Sequence, residues 1–211
     1  MQKCTGMNKT YFIQNVKDTN VNWDRVNPAF ISEYMWGGDY RPTALAKVVR
    51  VEGVGFLVRM FCDEKDPKAV YEFYGEPVYC DSALECFMQA IPGDPRYINV
   101  EMNAVGNSIC AIGPDRHHRT NAADILGAPF PIVAETTENG WQTTCLLSFE
   151  SIAKLYGVDV ATAEAATEFR GNFYKCGDET DIPHYGAWCG PSTAEPDFHT
   201  PGDFGRWRIA E

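Results

Sequence analysis

An all-β chain, folded as one antiparallel β-sandwich of the immunoglobulin-like or jelly-roll type with one or two short helices, is what three features of this sequence predict. Eight or more short runs with period-two alternation follow one another, separated by Gly, Pro, Asn and Asp turn signals. One of them, Tyr97 to Ala104, alternates strictly: Ile98, Val100, Met102 and Ala104 share one face, and Tyr97, Asn99, Glu101 and Asn103 share the other. Helical periodicity is confined to two short stretches. At 211 residues the chain is long enough for one sizeable core. With no linker, repeat or low-complexity tract, residues 1–211 read as a single domain, in which 1–39 form a less regular opening segment.

The elements follow in order. One strand is expected near Tyr11 to Val16. ALAKVVRV and GFLVRMFC, between Thr43 and Cys62, form a hairpin through Glu52-Gly53, with Phe56, Val58, Met60 and Cys62 on one face. Asp63 to Tyr74 reads as a charged loop. Leu84 to Ala90 and Tyr97 to Ala104 pair across the turn Pro92-Gly93-Asp94-Pro95, where Pro presets φ and Gly permits positive φ. Ser108 to Ile112 is another strand, and Arg116 to Asn121 an exposed loop. Phe130 to Thr136 and Trp141 to Phe149 form a hairpin through Glu138-Asn139-Gly140. A helix spans Phe149 to Tyr156, with Ser148 as its cap and Gly157 just past its end. A second, rich in Ala and Glu, spans Ala161 to Glu168. Phe169 to Cys176 and Arg206 to Ala210 are strands, joined by a long segment rich in Gly, Pro and aromatic residues that reads as a loop over the sheet end.

Composition narrows the function. A formal charge of −11 with no basic stripe argues against a nucleic-acid backbone as partner. No run of about 18 apolar residues is present, which excludes a membrane-spanning helix. The stretch MQKCTGMNKTYF carries no apolar leader, so the chain as it stands is expected to be cytoplasmic, or secreted if a leader has been removed. The eight cysteines sit mostly in apolar runs, which favours buried free thiols over a disulfide framework.

The polar strand face is the candidate site. Glu85, Tyr97, Glu101 and Asn103 combine carboxylate, amide and aromatic groups, and Arg170, Asn172 and Tyr174 repeat the alternation on GNFYKC. Sugars present vicinal hydroxyls and an apolar ring face, so planar hydrogen-bonding groups beside aromatic rings suit them. The competing reading is a solvated sheet face with cross-strand hydrogen bonds. Arg116 in the RHHR loop can cap a hydroxyl-rich ligand, and Tyr185 and Trp188 in the late loop are expected to be exposed for binding. Cys176, His184, Cys189 and His199 follow no zinc-site spacing, so no metal is assigned to them. Glu85 and Glu101 also admit a glycosidase pair.

Five segments in order, VYCDSALECF, YINVEMNAVG, NFYKCGDET, HYGAW and FHTPGDFG, resemble the landmarks of the family 9 carbohydrate-binding modules, from about Tyr40 to the end of the chain. The resemblance implies a β-sandwich that binds an oligo- or polysaccharide noncovalently, at a chain's reducing end in the xylanase-attached members. There a terminal sugar lies between two Trp rings and is hydrogen-bonded by Glu, Arg and Asn or Gln. By motif, Glu85 matches the signature Glu and Trp188 the late-loop aromatic, with Asn172 and the Tyr97 to Asn103 strand in matching segments. The family's first Trp is absent ahead of Asp81, where Val78 and Tyr79 stand, which leaves Tyr79 or Trp36 to fill its place. Xylanase-attached members also bind structural calcium, but no ligand loop for it is assigned here; no other cofactor is expected. A small glycoside hydrolase and a degenerate sandwich acting as a protein-interaction domain are the alternatives.

Overall fold

The computed structural model describes residues 9–210. Its strands are β1 (Thr10–Val16), β2 (Ala29–Ile31), β3 (Glu33–Gly37), β4 (Ala44–Val51), β5 (Gly55–Cys62), β6 (Ala83–Gln89), β7 (Tyr97–Asn103), β8 (Ser108–Gly113), β9 (Thr120–Asn121), β10 (Ile132–Thr137), β11 (Gly140–Ser148), β12 (Glu168–Gly177), β13 (His184–Ala187) and β14 (Gly205–Ile209). The helices among these residues are α1 (Ala122–Leu126), α2 (Phe149–Tyr156) and α3 (Val160–Ala165).

Two layers face each other. One runs β10-β11-β5-β4 with β2 on the edge of β4; the other runs β14-β12-β6-β7-β8-β9, with β13 and then β3 added beside β12. The alternation seen in the sequence decides what lies between them. Phe56, Val58, Met60 and Cys62 of β5 meet Leu84, Cys86 and Met88 of β6, Ile98, Val100 and Met102 of β7, and Phe173 of β12 in one buried core. Phe173 also stacks on Trp207 of β14, with ring centroids 4.6 Å apart. Gly171 lets that stack form, because a Cβ there would lie 2.5 Å from the Trp207 ring and from the Phe87 carbonyl oxygen.

The pairing is antiparallel with two exceptions. Strand β1 runs parallel to β14 over Thr10 to Ile13 and parallel to β4 over Gln14 to Val16, so it passes from one layer to the other. The layers are therefore halves of one curled sheet. The opening segment is more regular than expected, since β2 and β3 both lie in it. Helix α1 was not anticipated, because its five residues are too few to show a period. Helix α2 has the expected bounds, with the Ser148 side chain accepting from Ser151 N–H and Gly157 at φ 67° closing it. Helix α3 stops at Ala165, and Glu168 already belongs to β12. The supposed late loop contains β13.

The charged loop after β5 also behaves differently from its composition. Glu64 is 7% exposed and Lys175, on the core side of β12, is fully buried. They pair at 3.2 Å. Glu64 also accepts from Trp141 Nε1 at 3.2 Å and Ser82 Oγ at 3.2 Å. Lys175 Nζ donates to the Cys176 carbonyl at 2.7 Å and to His184 Nε2 at 2.7 Å. His184 Nδ1 lies 2.8 Å from the Ile182 carbonyl, which fixes the tautomer with Nε2 as acceptor. Burial, the largest single influence, works against the Glu64 carboxylate, but Lys175, His184 and the hydrogen bonds from Trp141 and Lys175 together outweigh it and hold the group below its usual range. Burial and Lys175 push His184 down to about 4, so its ring is neutral.

Cys62, Cys80, Cys86, Cys110, Cys145 and Cys176 are free thiols, all of them buried, and Cys189 is buried as well; Cys4 lies outside the described residues. No helix among these residues is long and apolar enough to cross a membrane.

Removing the Lys175 cation strands Glu64 in the interior. Lys175→Met should lower the unfolding free energy by about 3–5 kcal/mol in urea titrations, and adding Glu64→Gln should recover a substantial part. A double variant no more stable than the single one would contradict this account.

Candidate functional site

The second layer has two chemically different faces. Its inner face is the core; its outer face carries Glu85 and Phe87 of β6, Tyr97, Asn99, Glu101 and Asn103 of β7, and Asn172, Tyr174 and Cys176 of β12. The register sets Glu85 directly between Glu101 and Tyr174, and Phe87 directly between Asn99 and Asn172. The chain between β13 and β14 folds back over the aromatic part of this face. Phe198 stacks on Tyr174 with centroids 4.1 Å apart, and Phe204 meets Phe87 and Tyr97 edge-on.

Where this cover stops, a cavity of about 340 Å³ opens. Glu85, Glu101, Ile109 and Cys176 line it from the sheet. Tyr79 lines it from the 3-10 turn before β6, Asp178 from the β12–β13 connection, Tyr185 from β13, Arg116, His117 and Arg119 from the β8–β9 loop, and Pro196 to His199 from the covering segment. Tyr79 is 41% exposed, and the Tyr185 hydroxyl donates to Asp178.

The sequence-predicted residues divide between this cavity and other places. Glu85, Glu101, Arg116, Tyr185 and Tyr79 come together in its lining. Trp36 supports it from behind, packing on Tyr185 and Phe198 while its Nε1 donates to the Ala194 carbonyl at 3.0 Å. Tyr97 is fully buried beneath His199, its hydroxyl 2.8 Å from Nδ1. Asn103 binds the Tyr71 carbonyl, Asp81 and the Asn107 N–H, and Asn172 binds the Tyr174 hydroxyl and both backbone groups of Cys189. Those two amides thus have their hydrogen bonds inside the protein. The expectation of an exposed Trp188 is corrected. It is 7% exposed and packs against Tyr11 and Phe173 in the core, because the alternation of β13 turns Tyr185 and Ala187 toward the outer face and the next residue, Trp188, inward.

Arg119, His199, Cys176, Asp178 and Phe198 were not among the predicted ligand residues. The RHHR cluster and the FHTPGDFG landmark were visible signals for Arg119, His199 and Phe198, but only folding shows that both segments reach one cavity. Of the four residues weighed as metal ligands, His184 belongs to the Glu64–Lys175 network and His199 to the cavity wall. Among the described residues no three of His, Cys, Asp and Glu are grouped so as to hold a metal ion.

Charge is distributed unevenly around the cavity. Glu85 is 2% and Glu101 4% exposed. Burial, then the neighbouring Glu101, pushes Glu85 well above its usual range. Burial pushes Glu101 up to about 7, against the pull of Arg119. Asn99 Nδ2 donates to Glu101 at 2.9 Å, and the Cys176 thiol reaches both Glu85 and the Tyr79 carbonyl. Near neutral pH the pair therefore retains a proton, and so offers a donor as well as acceptors. Burial and Arg119 press His199 down to about 3, which leaves a neutral ring 3.1 Å from Arg119 Nη1. Glycosidase carboxyls flank the scissile bond. Glu85 and Glu101 are cross-strand neighbours, with Cβ atoms about 5 Å apart on one wall, and that arrangement does not provide two flanks.

Glu101 is protonated more readily in the folded chain than at its ordinary value of 4.5. Its contribution to stability is full below about pH 4.5 and is lost as pH rises through about 7. The melting temperature should therefore decline less steeply between about pH 5 and 8 in Glu101→Gln than in the wild type; thermal denaturation across that range checks it, and parallel declines would contradict it.

A sequence profile, described as carbohydrate-binding family 9, matches residues 14–209. Comparison with curated proteins finds no match. Among solved structures, a protein of Bacteroides uniformis ATCC 8492 assigned provisionally to carbohydrate binding superposes with a TM-score of 0.80 at 21% identity, over 96% of this chain and 99% of that one. A family 9 carbohydrate-binding module from Caldicellulosiruptor kristjanssonii, in complex with cellotriose, superposes with a TM-score of 0.63 at 13% identity, over 95% of this chain and 93% of that one. The curled sandwich is thus shared with both. The match across nearly the whole described chain places this protein in carbohydrate-binding family 9, as a binding module.

Proposed function

We propose that the cavity over Glu85 and Glu101 is the saccharide site of this module, that it takes the end of an oligo- or polysaccharide, and that residues 1–211 act as one domain. The observation that carries the reading is a buried carboxyl pair opening into a cavity walled by two tyrosines and two arginines. Its volume of about 340 Å³ lies at the small end of ligand pockets, about 300–1,000 Å³, and suits a terminal ring better than the flank of a chain. Glu85 and Glu101 accept from and donate to vicinal hydroxyls, Arg116 and Arg119 donate to others, and Tyr79 and Tyr185 offer ring faces to the sugar's C–H side. The cellotriose in the Caldicellulosiruptor module makes β-1,4-linked glucose oligomers a first ligand to try. The formal charge of −11 supports a partner other than a polyanion.

Calorimetry with glucose and xylose oligosaccharides tests this. Tyr79→Ala and Glu85→Gln should each weaken binding about tenfold or more, the scale of a lost stacking contact or charged hydrogen bond. Trp188→Ala should instead cost about 3–5 kcal/mol of stability and leave the affinity of the folded protein within about twofold. The reading fails if neither cavity variant changes the affinity, or if Trp188→Ala abolishes binding in protein shown to be folded.

A further inference from the structure

The floor of the cavity is more selective than a site for hydroxyls requires. Glu85 and Glu101 face each other across neighbouring strands, both almost fully buried. Glu64 is about as buried and has Lys175 at 3.2 Å. Among the described residues, Glu85 and Glu101 have no Lys, Arg or His in ion-pair contact. The two arginines of the wall are directed elsewhere: Arg116 lies 3.4 Å from Asp197 and Arg119 rests on His199. The lining thus carries four acidic side chains, Glu85, Glu101, Asp178 and Asp197, against Arg116 and Arg119. Arg119 acts on both carboxyls, Arg116 on Glu101 and Lys175 on Glu85, but only through space; a buried charge is stabilised by pairing, and what this floor lacks is a cation in contact with it.

We propose that the site selects a saccharide with a free basic nitrogen, an unacetylated 2-amino sugar of the glucosamine type, whose ammonium group is held between the Glu85 and Glu101 carboxyls. This rests on the reading of the cavity as the saccharide site. The ammonium donates to both carboxyls in charge-assisted bonds, stronger than those a hydroxyl makes. It takes the place of the proton that the pair retains when empty, so binding releases that proton to solvent. A neutral sugar leaves the proton where it is. An N-acetylated sugar brings an uncharged amide, and a uronic acid brings a third carboxylate to the same wall.

The experiment is titration calorimetry on the full chain at about pH 7, with the β-1,4-linked disaccharides of glucose, glucosamine and N-acetylglucosamine, and with glucuronate. It is repeated in two buffers of different ionisation enthalpy. The glucosamine disaccharide should bind about tenfold or more tightly than the glucose one, with proton release seen for it alone. Glu101→Gln should bring that ratio close to one. If the glucose disaccharide binds as tightly as the glucosamine one, or if wild-type protein releases no proton on binding the amine, the inference is overturned while the saccharide site stands. If Glu101→Gln does not fold, the two-buffer comparison on wild type decides alone. No binding of any of the four, nor of the longer glucose and xylose oligomers, removes the saccharide site and this inference with it.

Discussion

The pairing register of β6, β7 and β12 is the constraint on which the rest depends. Side chains on a strand alternate, so a slip of one residue exchanges the two faces of a sheet completely. In the observed register Leu84, Cys86, Met88, Ile98, Val100, Met102 and Phe173 fill the core, and the same three strands then have to turn Glu85, Glu101, Asn172 and Tyr174 outward. A slip in β6 or β7 would bury glutamates among apolar side chains and expose Leu and Ile. The core therefore sets the site. It brings Glu85 and Glu101 opposite each other although, among the described residues, neither carboxyl has a cation in ion-pair contact.

Three buried glutamates show how one fold handles the same chemical group in two ways. Glu64 is held ionised by Lys175 and by hydrogen bonds from Trp141 and Ser82, and it ties the end of β5 to β12 and β11 across the core. Glu85 and Glu101 lack such a partner, and burial keeps a proton on the pair. The first arrangement is closed, with acceptors and donors matched inside the protein. The second is left open toward the cavity, where hydrogen-bonding capacity remains for a ligand. Covering the aromatic half of the outer face with Phe198 and Phe204 confines that capacity to one place.

What could be inferred from sequence followed the range of the interactions. The hairpins at Glu52-Gly53, Pro92 to Pro95 and Glu138 to Gly140 are local, and turn chemistry with alternation was enough to find them. Helix α2 was equally legible, since Ser148 and Gly157 mark both ends. The short strands β2, β3 and β13 were not, because three to five residues carry little pattern, and their place depends on partners far along the chain. Glu64 lay inside an apparently solvated charged loop, and its burial is made tolerable by partners distant in sequence, Lys175, Trp141 and Ser82. In the site, Glu85 and Glu101 followed from alternation. Trp188 did not, because its orientation is decided by the pairing of β13 with β12. Arg119 and His199 sit 80 positions apart, and no local signal joins them.

Strand β1 begins against β14 and ends against β4. Its first half is paired with residues close to the far end of the sequence, Thr10 with Arg206 and Ile13 with Ile209. Loop closure over such a span must be made before its contacts are gained, which slows folding and lengthens exposure of intermediates. During synthesis the hairpin of β4 and β5 emerges early, yet the edge of β14 that receives β1 does not exist until the chain has been made through Ile209. Until then β1 presents unpaired backbone N–H and C=O groups on the side meant for β14. The join between the two layers is thus also the stage at which a growing chain is most open to pairing with the wrong strand.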